Sequence, residues 1–223
     1  MAELIANPST ATIAANLAQV RAEIARAARR AGRRPEDVQV LAATKYVALA
    51  DMPALARAGI ELVGENRAQD LRAKVDAYGD TFTWDFIGHL QSRKVRQVLG
   101  HVRLIHSVAS DSVLRELARH KQLASPEMRV LIEVNVAAEP GKDGVAPAEL
   151  AAFIERCPVP VAGLMTMPPQ SSKPEQSRRW FAALRELAQA HALEHLSMGT
   201  TQDYAVAVEE GATIVRIGTK LYA

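Results

Sequence analysis

Residues 38–47, VQVLAATKYV, form an apolar and partly β-branched run that delivers a single lysine, Lys45, to its end. Such a run predicts a strand buried on both faces, which is typical of a parallel sheet. The lysine then lies at the carboxyl end of the strand, where α/β folds bind their ligands. Ala42, Ala43 and Tyr46 are expected to exclude part of the water around it. Burial disfavours the ammonium form, so an amine placed there can be nucleophilic and can capture an aldehyde as a Schiff base, although most strand-end lysines simply reach into water.

Strand-like and helix-like segments alternate along the rest of the chain, after one helix that precedes the first strand. Seven more strands are predicted: ELVGEN, TWDFIGHLQS, VRLIHSV, MRVLIEVNV, VPVAGLMTM, HLSMGT and TIVRIGTK. Ser9 or Thr10, Asp51 and Asp111 are expected to cap the intervening helices. This alternation predicts a parallel sheet, and eight units in a single domain over residues 1–223 predict an α/β fold, a (β/α)₈ TIM barrel preceded by an N-terminal helix. An open doubly wound sheet is the alternative, but no Gly-x-Gly-x-x-Gly follows the first strand.

The composition excludes several classes of function. A formal net charge of +2 is too small to indicate nucleic-acid binding. The single cysteine, Cys157, allows neither a disulfide within the chain nor a Cys-x-x-Cys metal site. Residues 1–10 do not resemble a signal peptide, and no apolar run is long enough to span a bilayer. We therefore expect a cytoplasmic protein that binds no metal, no nucleic acid and no membrane.

Two stretches near the end of the chain suit an anion. Residues 197–201, SMGTT, combine hydroxyl groups with a glycine before a predicted helix, and residues 216–219, RIGT, add a second glycine and another hydroxyl. They follow the seventh and eighth strands, where barrels frequently bind a phosphate. Either stretch alone is more often only a cap or a turn. Together, beside a lysine on the neighbouring first strand, they favour a ligand that carries an aldehyde and a phosphate, as pyridoxal 5′-phosphate does.

Arg216 on the last strand can face the pyridine nitrogen of such a ligand. Two cationic centres in contact repel, so an arginine keeps that nitrogen unprotonated and weakens the ring as an electron sink. The same features suit a barrel enzyme that uses Lys45 as an aldolase-type nucleophile on a sugar phosphate, and the residues alone leave this alternative open. His89, His106 and Tyr204 are candidate acid–base groups, although a lone histidine at a strand end is more often structural.

A series of motifs then occurs in a fixed order: ATK, GEN, FIGHLQSRK, IHSV, EVN followed by GKDG, GLMTMPP, SMG and VRIGT. From about Val40 onward this series resembles the YggS/PROSC family of pyridoxal 5′-phosphate-binding homeostasis proteins. The resemblance implies the barrel of alanine racemase standing alone, a fold-type III barrel without the C-terminal β-domain. It implies that Lys142 matches a lysine involved in handling the cofactor. It also implies a cofactor-binding set of Lys45, as the Schiff-base partner, Asn66, Ser197, Met198, Thr201, Arg216, Gly218 and Thr219.

The function implied by the resemblance is non-catalytic. Such a protein binds pyridoxal 5′-phosphate reversibly, buffers the free aldehyde and delivers the cofactor to dependent apoenzymes, and we expect it to be a monomer with no catalytic residues. The alternative is a pyridoxal-phosphate-dependent enzyme of the amino-acid racemase type. Racemases that resemble this barrel add a β-domain and take a second acid/base, a tyrosine, from across a dimer, and the sequence ends directly after the eighth predicted strand. The carrier is therefore the favoured interpretation.

Overall fold

The described part of the chain forms a closed barrel in a computed structural model that describes residue 5 and residues 8–223. Most of the N-terminal stretch inspected for a targeting signal lies outside these residues. None of the described helices is long and apolar enough to cross a membrane. No group of three or more His, Cys, Asp and Glu side chains in the same residues is arranged to hold a metal ion.

Eight parallel strands build the barrel, each beside its neighbour in sequence. The sheet closes because the first strand pairs with the last, with Gln39 opposite Ile214 and Ala42 opposite Ile217. The predicted (β/α)₈ barrel is thus confirmed, and the open sheet is excluded. The strands are β1 (Gln39–Ala43), β2 (Leu62–Glu65), β3 (Thr83–Phe86), β4 (Leu104–Val108), β5 (Arg129–Glu133), β6 (Val161–Met165), β7 (His195–Thr200) and β8 (Ile214–Ile217).

Helices surround the barrel, and the first of them precedes β1 as predicted. Ser9 caps it by accepting a hydrogen bond from the backbone N–H of Thr12, and one face buries Ile13, Leu17 and Val20. The helices are α1 (Thr10–Arg30), α2 (Met52–Arg57), α3 (Ala68–Tyr78), α4 (Val95–Val98), α5 (Asp111–His120), α6 (Leu150–Glu155), α7 (Arg178–Ala190), α8 (Tyr204–Glu209) and α9 (Thr219–Tyr222).

Three local predictions are wrong. Ser110 rather than Asp111 caps α5, because the Ser110 hydroxyl accepts from the N–H of Val113 while Asp111 is the first helical residue. Asp51 precedes α2 but makes no capping hydrogen bond with its side chain. Thr219 begins the short helix α9 instead of continuing the last strand. All three errors lie at the ends of elements, where local sequence decides least.

The interior holds two apolar layers. One lies between the strands and the helices, and the other fills the barrel itself with side chains from alternate strand positions, namely Leu41, Leu104, Leu131, Met165 and Ile214. The barrel interior also contains buried polar side chains, among them Asp85, His106, Ser197 and Arg216. Arg216 lies at the end of these polar groups where the carboxyl ends of the strands meet, and that end is where barrels bind their ligands.

Candidate functional site

A cavity of about 420 Å³ opens at the C-terminal ends of the strands. This volume lies in the range of about 300–1,000 Å³ that small-molecule and cofactor sites occupy. Six of the eight predicted cofactor-binding residues line it: Lys45, Asn66, Thr201, Arg216, Gly218 and Thr219. They come from five different strand-end loops or strands, so only the closed barrel brings them together.

Lys45 follows β1, and its side chain is more exposed than the sequence analysis predicted. Its side chain reaches solvent, and its ammonium lies 4.7 Å from the centroid of the Tyr46 ring. The neighbours were expected to exclude part of the water around this lysine, but its side chain is exposed. A cation over an aromatic face is held in place by the ring quadrupole while its amine stays accessible.

A buried ion pair fixes the strand end that carries Lys45. Lys74 on α3 pairs with Glu65 at the end of β2, and both side chains are almost completely buried. The Lys74 ammonium also donates to the backbone carbonyl of Thr44 (2.8 Å), and the Thr44 hydroxyl donates to Glu65 (2.6 Å). The backbone immediately before Lys45 is thus tied to β2 and α3 by charge-assisted hydrogen bonds.

Arg216 forms part of the cavity floor with a buried guanidinium. Its Nη1 donates to the carbonyl (2.8 Å) and hydroxyl oxygens of Ser197, and its Nη2 donates to the Thr166 carbonyl (3.0 Å) and to the Met167 sulfur (2.8 Å). Burial lowers the pKa of Arg216 to about 10, although Glu133 and Asp203 oppose this change. The guanidinium is therefore charged at neutral pH and is oriented by four neutral acceptors.

The other two predicted residues do not line the cavity. Ser197 is fully buried beneath Arg216, where its hydroxyl lies between that guanidinium and Nδ1 of His106 (2.8 Å). Met198 points to the opposite side of β7 and packs in the layer between strands and helices. Adjacent residues of a strand face opposite ways, so a motif that spans both cannot place both at one ligand.

The two stretches predicted to bind a phosphate, at the ends of the last two strands, meet at a junction of two loops. The hydroxyl of Thr201 accepts a hydrogen bond from the backbone N–H of Gly218 (3.3 Å) and so links the loop after β7 to the start of α9. Asp203 accepts from the N–H of Thr200 (2.8 Å). Thr200 and Thr219 also line the cavity here. Threonine hydroxyls and glycine backbone are groups that suit a phosphate oxygen.

Asn66 carries an unsatisfied polar atom. Its Oδ1 is buried and has no hydrogen-bond partner among the described residues. A buried amide oxygen without a partner costs free energy that a ligand donor can offset. Close packing holds this residue in place, because a Cβ built on Gly88 would lie 2.0 Å from the Asn66 carbonyl oxygen. Only glycine allows the loops after β2 and β3 to approach this closely.

Several cavity residues were missed by the sequence analysis. Tyr222 on α9 forms part of the wall and donates its hydroxyl to the carbonyl of Ala43 (3.2 Å). Glu133 at the end of β5 also lines the cavity, and burial raises its pKa, as does the nearby Asp143, while Arg216 opposes the rise. Glu133 belongs to the EVN motif, which was the available signal. Tyr222 had none, because α9 was not predicted.

The candidate acid–base groups lie at different distances from the cavity. His89 lies at the cavity rim, where it pairs with Asp143 across two loops (2.7 Å). His106 is buried below the floor, and Tyr204 donates its hydroxyl to Glu23 outside the barrel. Lys142 pairs with Glu139 in the loop after β5 and does not line the cavity. No predicted acid–base group except His89 therefore reaches the cavity.

A larger cleft of about 610 Å³ lies between α1 and the opposite ends of the first strands. Its lining includes Arg21, Gln39, Glu61 and Arg103, and none of the predicted site residues. Ligand binding in barrels occurs at the C-terminal face, so the smaller cavity is the candidate site.

Comparison with known proteins agrees with this geometry. The family model described as the alanine racemase N-terminal domain matches residues 15–223. The pyridoxal phosphate homeostasis protein of Aquifex aeolicus is 41% identical over 217 residues, which cover 92% of this chain and 95% of that protein. An unknown protein from Bifidobacterium adolescentis is 30% identical with a TM-score of 0.89, covering 99% of this chain and 98% of that one. PipY of Synechococcus elongatus, solved with PLP bound, is 32% identical with a TM-score of 0.77, covering 95% and 100%.

Proposed function

Because the chain belongs to the family of the alanine racemase N-terminal domain, we propose that it binds pyridoxal 5′-phosphate and serves in its homeostasis as a carrier without catalytic activity of its own. Relatives that align over nearly their whole length are named pyridoxal phosphate homeostasis proteins. The observation that carries the proposal is that an accessible amine, Lys45, and a buried guanidinium, Arg216, line one cavity with the Thr201–Gly218 junction.

The residues of the cavity fit this cofactor. When bound, pyridoxal 5′-phosphate supplies an aldehyde that condenses with an amine with loss of water. Lys45 provides that amine, Thr201, Gly218 and Thr219 hold the phosphate, and Arg216 faces the ring nitrogen. The unpartnered Oδ1 of Asn66 accepts a hydrogen bond from the ligand. These assignments use charge and hydrogen-bond type only, since each group is matched to the part of the ligand that it complements.

Two features of the surroundings of the amine support the carrier function. Racemisation needs a second acid or base on the face of the substrate opposite Lys45. His106 and Tyr204 are hydrogen-bonded away from the cavity, and His89 at the rim is paired with Asp143. A buried arginine next to the ring nitrogen also disfavours the protonated ring that stabilises carbanions. Both features favour reversible holding of the cofactor, and the proposed function includes its transfer to apoenzymes by a monomeric chain.

One observation favours the alternative of a racemase-type enzyme. Glu133 lines the same cavity as Lys45, and burial raises the pKa of its carboxyl. A carboxyl tuned in this direction is typical of a general acid near neutral pH. If Glu133 lies within reach of a bound amino acid, the cavity contains the acid–base partner that the carrier model lacks.

The deciding experiment is a visible spectrum of the purified protein with added pyridoxal 5′-phosphate, followed by borohydride reduction and peptide mass mapping. We expect a yellow protein that bleaches and carries a reduced pyridoxyl group on Lys45. Lys45→Met removes the colour, while Lys94→Met, a lysine of an adjoining cleft, retains it. A colourless wild-type protein, or an adduct on another lysine, contradicts the proposal.

The two functions separate in a second measurement on the loaded protein. In D₂O, a carrier leaves the α-proton of alanine in place over hours, whereas a racemase-type enzyme exchanges it. Glu133→Gln abolishes the conversion of L-alanine to D-alanine if Glu133 is the second acid–base group, because Lys45 alone can exchange the proton on one face only. Transfer of cofactor to an apoenzyme at a rate that depends on the apoenzyme concentration supports delivery, and sedimentation analysis tests the monomer.

A further inference from the structure

A chain of buried polar side chains runs through the barrel interior from one face to the cavity floor. Arg103, which is partly exposed at the far end, donates from Nε (3.1 Å) and Nη2 (2.7 Å) to the two carboxylate oxygens of Asp85. Asp85 contacts Nε2 of His106 (3.2 Å), and Nδ1 of His106 contacts the Ser197 hydroxyl (2.8 Å). Ser197 in turn accepts from Arg216. The chain therefore links a surface cation to the guanidinium beneath the ligand.

Only one arrangement of protons gives every side chain of this chain a matching hydrogen-bond donor or acceptor. Burial raises the pKa of Asp85, but hydrogen bonds from His106 and Arg103 outweigh this effect and keep the carboxyl ionised. An ionised carboxylate accepts, so His106 donates from Nε2. Burial together with the charges of Arg216 and Arg103 lowers the pKa of His106, against the effect of Asp85, so the ring is neutral and Nδ1 is an acceptor. The Ser197 hydroxyl then donates to Nδ1 of His106. A lone pair of the Ser197 oxygen is left to accept the hydrogen bond from Arg216.

We propose that His106 is a positioning residue that fixes the Ser197 hydroxyl as an acceptor and thereby holds the Arg216 guanidinium in one orientation at the cavity floor. Both Nη groups of Arg216 are used by protein acceptors. Nε–H is the donor that has no hydrogen bond to the described residues, so a fixed guanidinium presents this group to a ligand. The consequence for the cofactor rests on the function proposed above.

The position of the chain argues against a purely structural role. Barrel interiors are normally filled by layers of branched apolar side chains. Here Asp85, His106 and Ser197 replace such side chains in a fully buried stretch. Apolar residues of similar volume fill a core without the desolvation of charge, so a buried ionic chain is weak evidence for stability alone. What the chain does achieve is a fixed hydrogen-bond direction at its upper end, on Arg216.

The first test uses the protein without cofactor. Solvent exchange of the Arg216 guanidinium protons is followed by NMR in Ser197→Ala and His106→Phe, with Thr213→Val as the control. Thr213 lies just before β8, where its hydroxyl accepts a hydrogen bond from the backbone N–H of Leu196, and it makes no hydrogen bond to Ser197, His106 or Arg216. We expect roughly twofold to tenfold faster exchange in both chain variants, as for loss of one buried hydrogen bond, and none in the control. The double variant is expected to exceed neither single variant by much, because both break the same chain.

The tautomer is measured in the same sample. The ¹⁵N spectrum of His106 is expected to show a protonated Nε2 and an unprotonated Nδ1 at about pH 7 and above. A protonated Nδ1, or Arg216 exchange in His106→Phe that equals that of the control, overturns the proposal. If His106→Phe does not fold, Ser197→Ala together with the wild-type tautomer decides the question.

The second test adds ¹⁵N-labelled pyridoxal 5′-phosphate. Both chain variants are expected to shift the ring-nitrogen resonance toward its protonated position, while Thr213→Val leaves it unchanged. An unchanged resonance despite faster Arg216 exchange refutes the effect on the cofactor. A protein that takes up no cofactor refutes the proposed function instead, and the exchange and tautomer measurements still decide whether His106 positions Arg216.

Discussion

Lys74→Met isolates the ion pair that holds the end of β1. The substitution keeps the length and apolar stem of the side chain but removes the ammonium that pairs with Glu65 and donates to the Thr44 carbonyl. Only 6% of the Lys74 side chain and none of the Glu65 side chain is exposed, so water cannot replace the lost partner. The carboxylate is then buried with the Thr44 hydroxyl and one backbone N–H as its remaining donors.

The expected cost is large. Removing one partner of a buried pair costs about 3–5 kcal/mol, because the other charge remains desolvated. With a dependence on urea of about 2 kcal/mol per molar, the midpoint of unfolding falls by roughly 1.5–2.5 M. Affinity for pyridoxal 5′-phosphate should weaken as well, since the backbone that presents Lys45 loses an anchor.

Two further variants make the measurement decisive. Arg72→Met on the same helix breaks an exposed pair with Asp76, whose charged atoms are 3.9 Å apart, and is expected to change stability by less than about 1 kcal/mol. The double variant Glu65→Leu/Lys74→Met removes both charges and should regain much of the lost stability. Midpoints for Lys74→Met and Arg72→Met that coincide would refute the reasoning, as would a double variant no more stable than Lys74→Met.

Two other predictions address the cavity. Burial raises the pKa of Glu133 above its ordinary value of about 4.5, so the unfolded chain releases this proton at a lower pH than the folded protein does. The wild type therefore loses stability as pH rises from about 4.5 to the raised pKa of the folded protein, and Glu133→Gln should gain stability relative to it over that range. A stability difference that does not change with pH would contradict this. Gly88→Ala places a Cβ against the Asn66 carbonyl and should cost about 1–3 kcal/mol along with cofactor affinity. Gly79→Ala, whose Cβ meets only Val75 at 3.7 Å, is the matched control, and equal thermal shifts for the two would refute the steric argument.

The order of strands and the location of the site could be predicted from the sequence because both depend on short-range signals. The apolar run before Lys45 identifies β1, and in a closed barrel every strand end faces one opening. The direction in which an individual side chain points cannot be predicted from such signals alone, because it also depends on contacts with other elements. Glu65 and Asn66 are neighbours in the GEN motif, yet Glu65 is buried against Lys74 while Asn66 lines the cavity. Glu65 rather than Asn66 turns away from the cavity because its partner, Lys74, lies nine positions further along the chain on α3.

Partners far apart in sequence also explain what was missed. Ser197 was assigned to the phosphate because hydroxyl groups near a helix suit an anion, but its neighbours in space, His106 and Arg216, come from β4 and β8. The burial of these three side chains is fixed by closure of the barrel and by register shifts such as the one between Ser197 and Thr200. No local pattern encodes such a register. The sequence could therefore identify Ser197 as a polar residue near the site, but it could not show which groups its hydroxyl contacts.

The charge on Arg216 links the core to the ligand. No carboxylate of the described residues lies within ion-pair distance of this guanidinium, which is held instead by two carbonyls, a hydroxyl and a sulfur. Burying a cation with only neutral partners makes the folded protein less stable than burying an apolar side chain in the same place. A ligand that brings an acceptor atom and a phosphate into the cavity lowers this cost, and the lowered cost appears as binding free energy coupled to folding. The same buried charge that costs the fold stability thus favours an anionic ligand.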